Sequence, residues 1–71
     1  MKSNLSFLNI STGKYIITNI LNPNPKFTGL GLIEGNIIEV IRTTKHLVHF
    51  KICNTEMFAR RSDINMVLSI F

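Results

Sequence analysis

Two clusters of helix-breaking residues, both within residues 22–35, limit what this 71-residue chain can fold into. The first is Asn22-Pro23-Asn24-Pro25, and the second consists of Gly29, Gly31 and Gly35. Proline fixes its own φ angle and disfavours the helical conformation of the residue before it, so the first cluster ends the element that precedes it. Only residues 25–31 leave room for a helix, of one or two turns. The sequence therefore predicts short elements on both sides of this region.

The clearest strand signal is the alternation of apolar and polar residues in LVHFKIC, residues 47–53. Because strand side chains alternate between two faces, one face receives Val48, Phe50 and Ile52, and the other receives His49, Lys51 and Cys53. Similar patterns predict four more strands, over residues 14–21, 36–44, 56–60 and 66–71.

The same alternation predicts which side chains face the core. Met57 and Ala59 should face inward, and the following side chains should share one face of their strand: Ile38, Val40 and Arg42. Two aromatic side chains in strands are expected in the core: Phe50 and Phe58. Residues 5–10 are expected to form an irregular entry that packs two side chains on the sheet: Leu5 and Leu8. Asn54-Thr55 should turn the chain, and Ser62 should cap a short helical turn.

The composition favours one small, all-β domain over residues 1–71. Hydrophobic residues make up 45% of the chain and charged residues only 17%, which argues against disorder. Five short, tightly connected strands describe a curved antiparallel sheet, which protects its edges by closing into a barrel with one short helical turn. Short apolar edge strands also favour homo-oligomers.

One cysteine excludes an internal disulfide. No apolar run reaches the length of a membrane span, and no signal peptide is recognisable, so a cytoplasmic location is expected.

Catalytic and metal-binding patterns are missing from the sequence. The four carboxylates follow no paired spacing, and no phosphate-binding loop is present, so we expect neither an enzyme nor a cofactor nor a small-molecule substrate. His49 and Cys53 share a strand face, but residues four apart on a strand are roughly 13 Å apart, too far to chelate one ion. We therefore predict no metal site.

The net charge of +4 permits nucleic-acid binding without favouring it. The basic residues are spread along the chain, and only Arg60 and Arg61 are adjacent. The aromatic residues lack the interleaving with basic residues that is typical of single-strand binding platforms. A nucleic-acid partner is therefore not expected.

Several segments in a fixed order resemble a known family. The first carries Leu5, Leu8 and Gly13 and leads into the isoleucines at positions 16, 17 and 20. The second covers residues 26–40, with LGLIEG at residues 30–35 as its most specific piece, and the third is MFARR at residues 57–61. Together they are similar to the pattern of the FeoA family of small SH3-like barrels, and the resemblance covers nearly the whole chain. Two departures lie in the middle: the helix before LGL is shortened, and Glu34 replaces a common proline.

This resemblance implies an SH3-like, five-stranded antiparallel barrel that serves as an accessory protein of bacterial ferrous-iron uptake. The implied partner is the cytosolic GTPase region of the FeoB membrane transporter. For the contact we single out Leu32 and Ile33 on the glycine-bounded corner, because a barrel core has little room for both. The remaining candidate contact residues are Lys26, Phe27, Arg60 and Arg61.

Two other functions remain open. A basic pI near 9.7 would suit a small-barrel protein that binds nucleic acid. FeoA-like barrels also occur as domains of iron-dependent transcription repressors, so this chain could be such a barrel, detached from its DNA-binding partner domain. An adjacent gene for a large GTPase–membrane protein would favour the transport function, and a fused helix-turn-helix would favour the repressor.

Overall fold

A computed structural model describes residues 4–71 of the chain. Its elements, in chain order, are β1 (Asn4–Ser6), a 3-10 turn (Phe7–Asn9), β2 (Gly13–Ile20), α1 (Pro25–Thr28), β3 (Ile37–Thr43), β4 (Leu47–Ile52), β5 (Thr55–Arg60) and β6 (Met66–Ile70). All strand pairs are antiparallel, and the strands hold 51% of the described residues, so the all-β class is confirmed.

The six strands form one sheet in the order β1-β6-β2-β3-β4-β5. The five predicted strands are confirmed, and each of their ends lies within one residue of its prediction. The prediction of five strands is nevertheless wrong by one, because β1 pairs with β6 over three residues. Within residues 4–71 no strand pairing joins β1 to β5, so the sheet is not closed by backbone hydrogen bonds.

The core lies on the face of the sheet that the alternation in β4 and β5 predicts. Val48, Phe50 and Ile52 are at most 1% exposed, and the inward orientation of Met57 and Ala59 is confirmed. Burying one such aliphatic or aromatic side chain contributes about 1.5–3 kcal/mol, so this alternation supplies much of the stability of a chain this short.

Phe7, rather than Leu8, fills the core from the entry segment. Phe7 is fully buried and makes an edge-to-face contact with Phe50, with ring centroids 5.8 Å apart. Leu8 is 53% exposed, so its predicted packing on the sheet is wrong; Leu5 is partly buried against the core as expected. The 3-10 turn explains why Phe7, and not Leu8, is buried. This turn is capped by Ser6, whose hydroxyl accepts a hydrogen bond from the Leu8 amide.

A β-bulge in β3 moves Arg42 away from the core face. The register of β3 against β4 shifts between Val40 and Arg42, so that Val40 pairs with Phe50 while Arg42 pairs with His49. The extra residue carries Arg42 to the outer face, where it is exposed. The prediction that Arg42 shares a face with Ile38 and Val40 is therefore wrong.

The turns differ from the predictions by small shifts. The β4–β5 turn uses Cys53 and Asn54, with φ angles of 51° and 64°, rather than Asn54-Thr55. Two consecutive residues with positive φ match the twist of a tight hairpin. Residues 61–63 form a turn and not a helix, so Ser62 caps no helix. Among residues 4–71, no helix is long and apolar enough to cross a membrane.

Candidate partner-binding surfaces

The LGLIEG segment forms a tight corner between α1 and β3. Gly31 and Gly35 have φ angles of 105° and 95°, which glycine adopts without steric cost. The Gly35 amide donates to the Ile17 carbonyl at 2.8 Å, and the Ile20 amide donates to the Glu34 carboxylate at 3.2 Å. These two bonds hold the corner against β2.

Leu32 is the buried residue of this corner. It is 3% exposed and belongs to the core cluster, whereas Leu30 and Ile33 are 42% and 45% exposed. The predicted exposure of Leu32 is therefore wrong, whereas Ile33 is exposed as expected. The positive φ of Gly31 explains the burial of Leu32, because it redirects the chain so that the Leu32 amide donates back to the Phe27 carbonyl at 3.1 Å.

The single turn of α1 presents Lys26 and Phe27 beside the corner. The Asn24 side chain caps this turn by accepting a hydrogen bond from the Lys26 amide at 3.0 Å, and Pro25 occupies the first helical position. Phe27 is half-buried against the core, and the Lys26 ammonium lies 5.8 Å from its ring centroid. Ile33, Lys26 and Phe27 are thus presented at the surface, although Leu32 is not.

Arg60 and Arg61 line a different depression of the surface. Its other lining residues are Leu8, Asn9, Lys45, His46 and Ser62, whereas Phe27 and Leu32 line a separate, very small pocket. The structure therefore divides the six predicted contact residues into two groups, which we call the corner and the basic depression. The basic depression has no carboxylate among its lining residues.

Arg61 acts as a structural clasp. Its Nη1 atom donates to the carbonyls of Ile10 at 2.8 Å and Leu8 at 3.2 Å, and its Nε atom donates to the carbonyl of Thr44 at 3.0 Å. These bonds connect the end of β5 to the segment before β2 and to the β3–β4 turn. Arg60, by contrast, is exposed on the outer face.

Phe58 is an exposed aromatic residue that sequence reasoning missed. It is 66% exposed, so its predicted place in the core is wrong. On the outer face its ring stacks on His49, with centroids 4.2 Å apart and an angle of 12° between the planes. The alternation that correctly placed Met57 and Ala59 inward was the signal that places Phe58 outward.

His49 and Cys53 contact different residues. The His49 Nε2 atom lies 2.9 Å from Glu56 Oε1, and its side chain is 20% exposed. Cys53 lies in the β4–β5 turn, close to Gly31, where the Asn36 amide nitrogen is 3.8 Å from its sulfur. Within residues 4–71, no three His, Cys, Asp or Glu side chains are grouped closely enough to hold a metal ion.

Charges of alternating sign form a row across the outer face. The cross-strand pairs connect Lys14 to Glu39, Glu39 to Lys51, and Lys51 to Glu56. Opposite charges on neighbouring strands stabilise a sheet by about 0.2–1 kcal/mol per pair. This part of the outer face therefore has little net charge, and the excess of basic residues lies elsewhere.

Comparisons with known proteins assign no family. No family model matches the chain, and comparison with curated proteins and with solved structures finds no match. Because the comparisons give no family, a functional proposal has to rest on the surfaces described above: the corner, the basic depression and the outer face around Phe58.

Proposed function

We propose that this chain is a non-enzymatic accessory protein of ferrous-iron uptake, which acts in the cytoplasm on the cytosolic GTPase region of a FeoB-type transporter. The proposed architecture is an SH3-like barrel. The observation that carries the proposal is the corner geometry, in which Gly31 and Gly35 adopt positive φ on either side of a buried Leu32. This corner is the segment whose sequence most resembles the FeoA family.

The departure at Glu34 is compatible with this corner. The FeoA pattern often has proline at this position. Here the Glu34 carboxylate accepts a hydrogen bond from the Ile20 amide. A proline restricts the backbone of a turn through its ring, whereas Glu34 restrains the same turn by a side-chain bond to β2. The substitution therefore retains a fixed corner by another physical means.

The proposed contact consists of Leu30 and Ile33, with Lys26 and Phe27 beside them. Exposed apolar side chains on a rigid backbone suit a protein interface, because little conformational entropy is lost when they become buried. Leu32 supports this contact from below as part of the core. A bound accessory protein of this kind shifts the transporter only by its different affinity for two conformations.

The experiment that tests this function is a binding measurement between the purified chain and the cytosolic region of the FeoB-type transporter from the same genome. We expect Ile33→Glu to weaken binding about thirtyfold, or ~2 kcal/mol, because it places a charge in a desolvated contact. Ile41→Glu is the matched control, because Ile41 has a similar exposure of 42% but lies in β3.

Two results would contradict the proposal. The first is the absence of any binding by the wild-type chain, and the second is an equal effect of the Ile33 and Ile41 variants. Leu32→Glu cannot serve as the test, because a charge at a position that is 3% exposed should unfold the protein.

The basic depression is the observation that favours nucleic acid as a second candidate partner. Lys45, Arg60 and Arg61 contribute full positive charges there without a neighbouring carboxylate in the lining. About three phosphate contacts would give a salt slope near −2.7, so binding to a single-stranded oligonucleotide should be detectable only at low salt. Tight binding at physiological salt would favour this function over the transporter contact. The third alternative, a barrel domain of an iron-dependent transcription repressor, stays a prediction. A DNA-binding domain fused to this barrel would support it.

A further inference from the structure

The outer edge of β5 presents a regular row of backbone groups. β5 is the last strand of the sheet and pairs only with β4 among residues 4–71. The Arg61 amide donates to the His46 carbonyl at 2.9 Å. This bond identifies which of the alternating residue pairs between β4 and β5 are joined by backbone hydrogen bonds. Because the bonding direction alternates along an antiparallel strand, the amides and carbonyls of Glu56, Phe58 and Arg60 point away from β4.

The side chains of these same three residues share the outer face. All three are exposed, and Phe58, in the middle, is 66% exposed. Glu56 Oε1 is bonded to His49, which leaves Oε2 for another partner. Along the strand, the row therefore has a negative charge at Glu56, an aromatic ring at Phe58 and a positive charge at Arg60.

We propose that two copies of this chain form a symmetric dimer by pairing their β5 edges antiparallel, with the two-fold axis at Phe58. In this register Phe58 faces Phe58 of the second copy, and each Glu56 faces an Arg60. The row is thus complementary to itself, as an interface with two-fold symmetry requires. The backbone groups that point outward at these three positions are also the ones that this register joins.

The charges select this register over its neighbours. A shift that placed Glu56 opposite Glu56, or Arg60 opposite Arg60, would bring like charges together, which destabilises an antiparallel pair. A shift that placed Phe58 opposite either charged residue would leave charges unpaired. Among registers that use the outward-pointing groups, only pairing centred on Phe58 joins both opposite-charge pairs.

The resulting dimer should be weak and in exchange with the monomer. The pairing involves one short strand from each copy, which places it among small, transient interfaces. We expect a dissociation constant of about 10 μM to 1 mM, which sedimentation velocity can measure. The inference concerns a different surface from the corner, so it does not depend on the transporter proposal.

Charge exchange at two positions tests the register. Arg60→Glu and Glu56→Arg should each weaken the dimer at least about tenfold, because either change creates two like-charge pairs by symmetry. An equimolar mixture of the two variants should form a heterodimer, and the double variant E56R/R60E should again form a homodimer. These recoveries show that pairing, and not folding, is affected.

Matched controls alter the same charges away from the edge. Arg42→Glu and Glu39→Arg lie on the outer face of β3 and should leave the dissociation constant within about twofold of wild type. A protein that stays fully monomeric at about 1 mM would overturn the proposal, because roughly half of the chains should be dimeric at that concentration even at the weak end of the expected range. A dimer that is unaffected by both β5 variants would also overturn it, as would failure of the mixture and the double variant to recover pairing.

Discussion

Replacement of Arg61 by alanine is expected to destabilise the fold, because its guanidinium connects parts of the chain near both ends of the sheet. β5 lies at one end of the strand order, and the Leu8 and Ile10 carbonyls belong to the segment that follows β1 at the other end. Among residues 4–71 no backbone pairing joins β1 to β5, and Arg61 connects the end of β5 to the segment after β1 by side-chain hydrogen bonds. We therefore expect its removal to affect the whole small domain and not only one turn.

The magnitude follows from the burial of the three bonds. The bond to the Ile10 carbonyl is 2.8 Å long and partly buried, whereas those to Leu8 and Thr44 are exposed. A hydrogen bond from a charged group contributes about 1.5–3 kcal/mol when shielded and less when solvent competes for it. Arg61→Ala should therefore cost about 2–3 kcal/mol, which is a large part of the ~4–10 kcal/mol expected for a chain of this length.

Urea unfolding followed by circular dichroism, at low micromolar protein, measures this change. Arg60→Ala is the control, because it removes the same charge from the neighbouring exposed position and should change the free energy of unfolding by no more than about 0.5 kcal/mol. In thermal unfolding, Arg61→Ala should lower Tm by roughly 10–20 °C. Equal stability of the two variants would refute the clasp, as would full stability of Arg61→Lys, whose single ammonium cannot reproduce the planar fork.

Three further predictions concern the fold. The circular dichroism spectrum should be dominated by β-structure, and a helix content above about one-third would contradict the sheet. Gly31→Ala should destabilise by about 1–3 kcal/mol, because it forces an alanine to positive φ with its Cβ 2.9 Å from the Cys53 sulfur; Gly29→Ala, at φ −65°, should be close to neutral. Phe58→Ser should change stability by less than about 1 kcal/mol, whereas Phe50→Ala should cost about 3–5 kcal/mol; equal losses would show that Phe58 packs in the core.

The strands could be predicted from the sequence because β-branched and apolar residues are concentrated in them, with the clearest alternation of apolar and polar residues in β4. In β4 and β5 the period of two places Phe50, Ile52 and Met57 inward, and the structure confirms each of them. The short helix was also predictable, since proline and glycine restrict the backbone through local sterics alone. Both kinds of signal depend only on a few neighbouring residues.

The features that were missed depend on contacts between distant segments. The bulge at Arg42 reflects the pairing of β3 with β4, which no pattern within β3 reveals. The burial of Leu32 depends on the direction in which Gly31 turns the chain toward the core, because both neighbouring apolar residues suit a core equally well. The three bonds of Arg61 reach residues up to 53 positions away in the sequence.

Phe58 shows how one misplaced side chain changes the functional interpretation. As a core residue it would make β5 an ordinary amphipathic strand whose outer face carries only charges. As an exposed residue between Glu56 and Arg60, it turns the edge of the sheet into a self-complementary row. In the dimer that we propose, a second copy covers the exposed edge that a small sheet must protect, and the corner with Leu30 and Ile33 stays accessible to the proposed transporter partner.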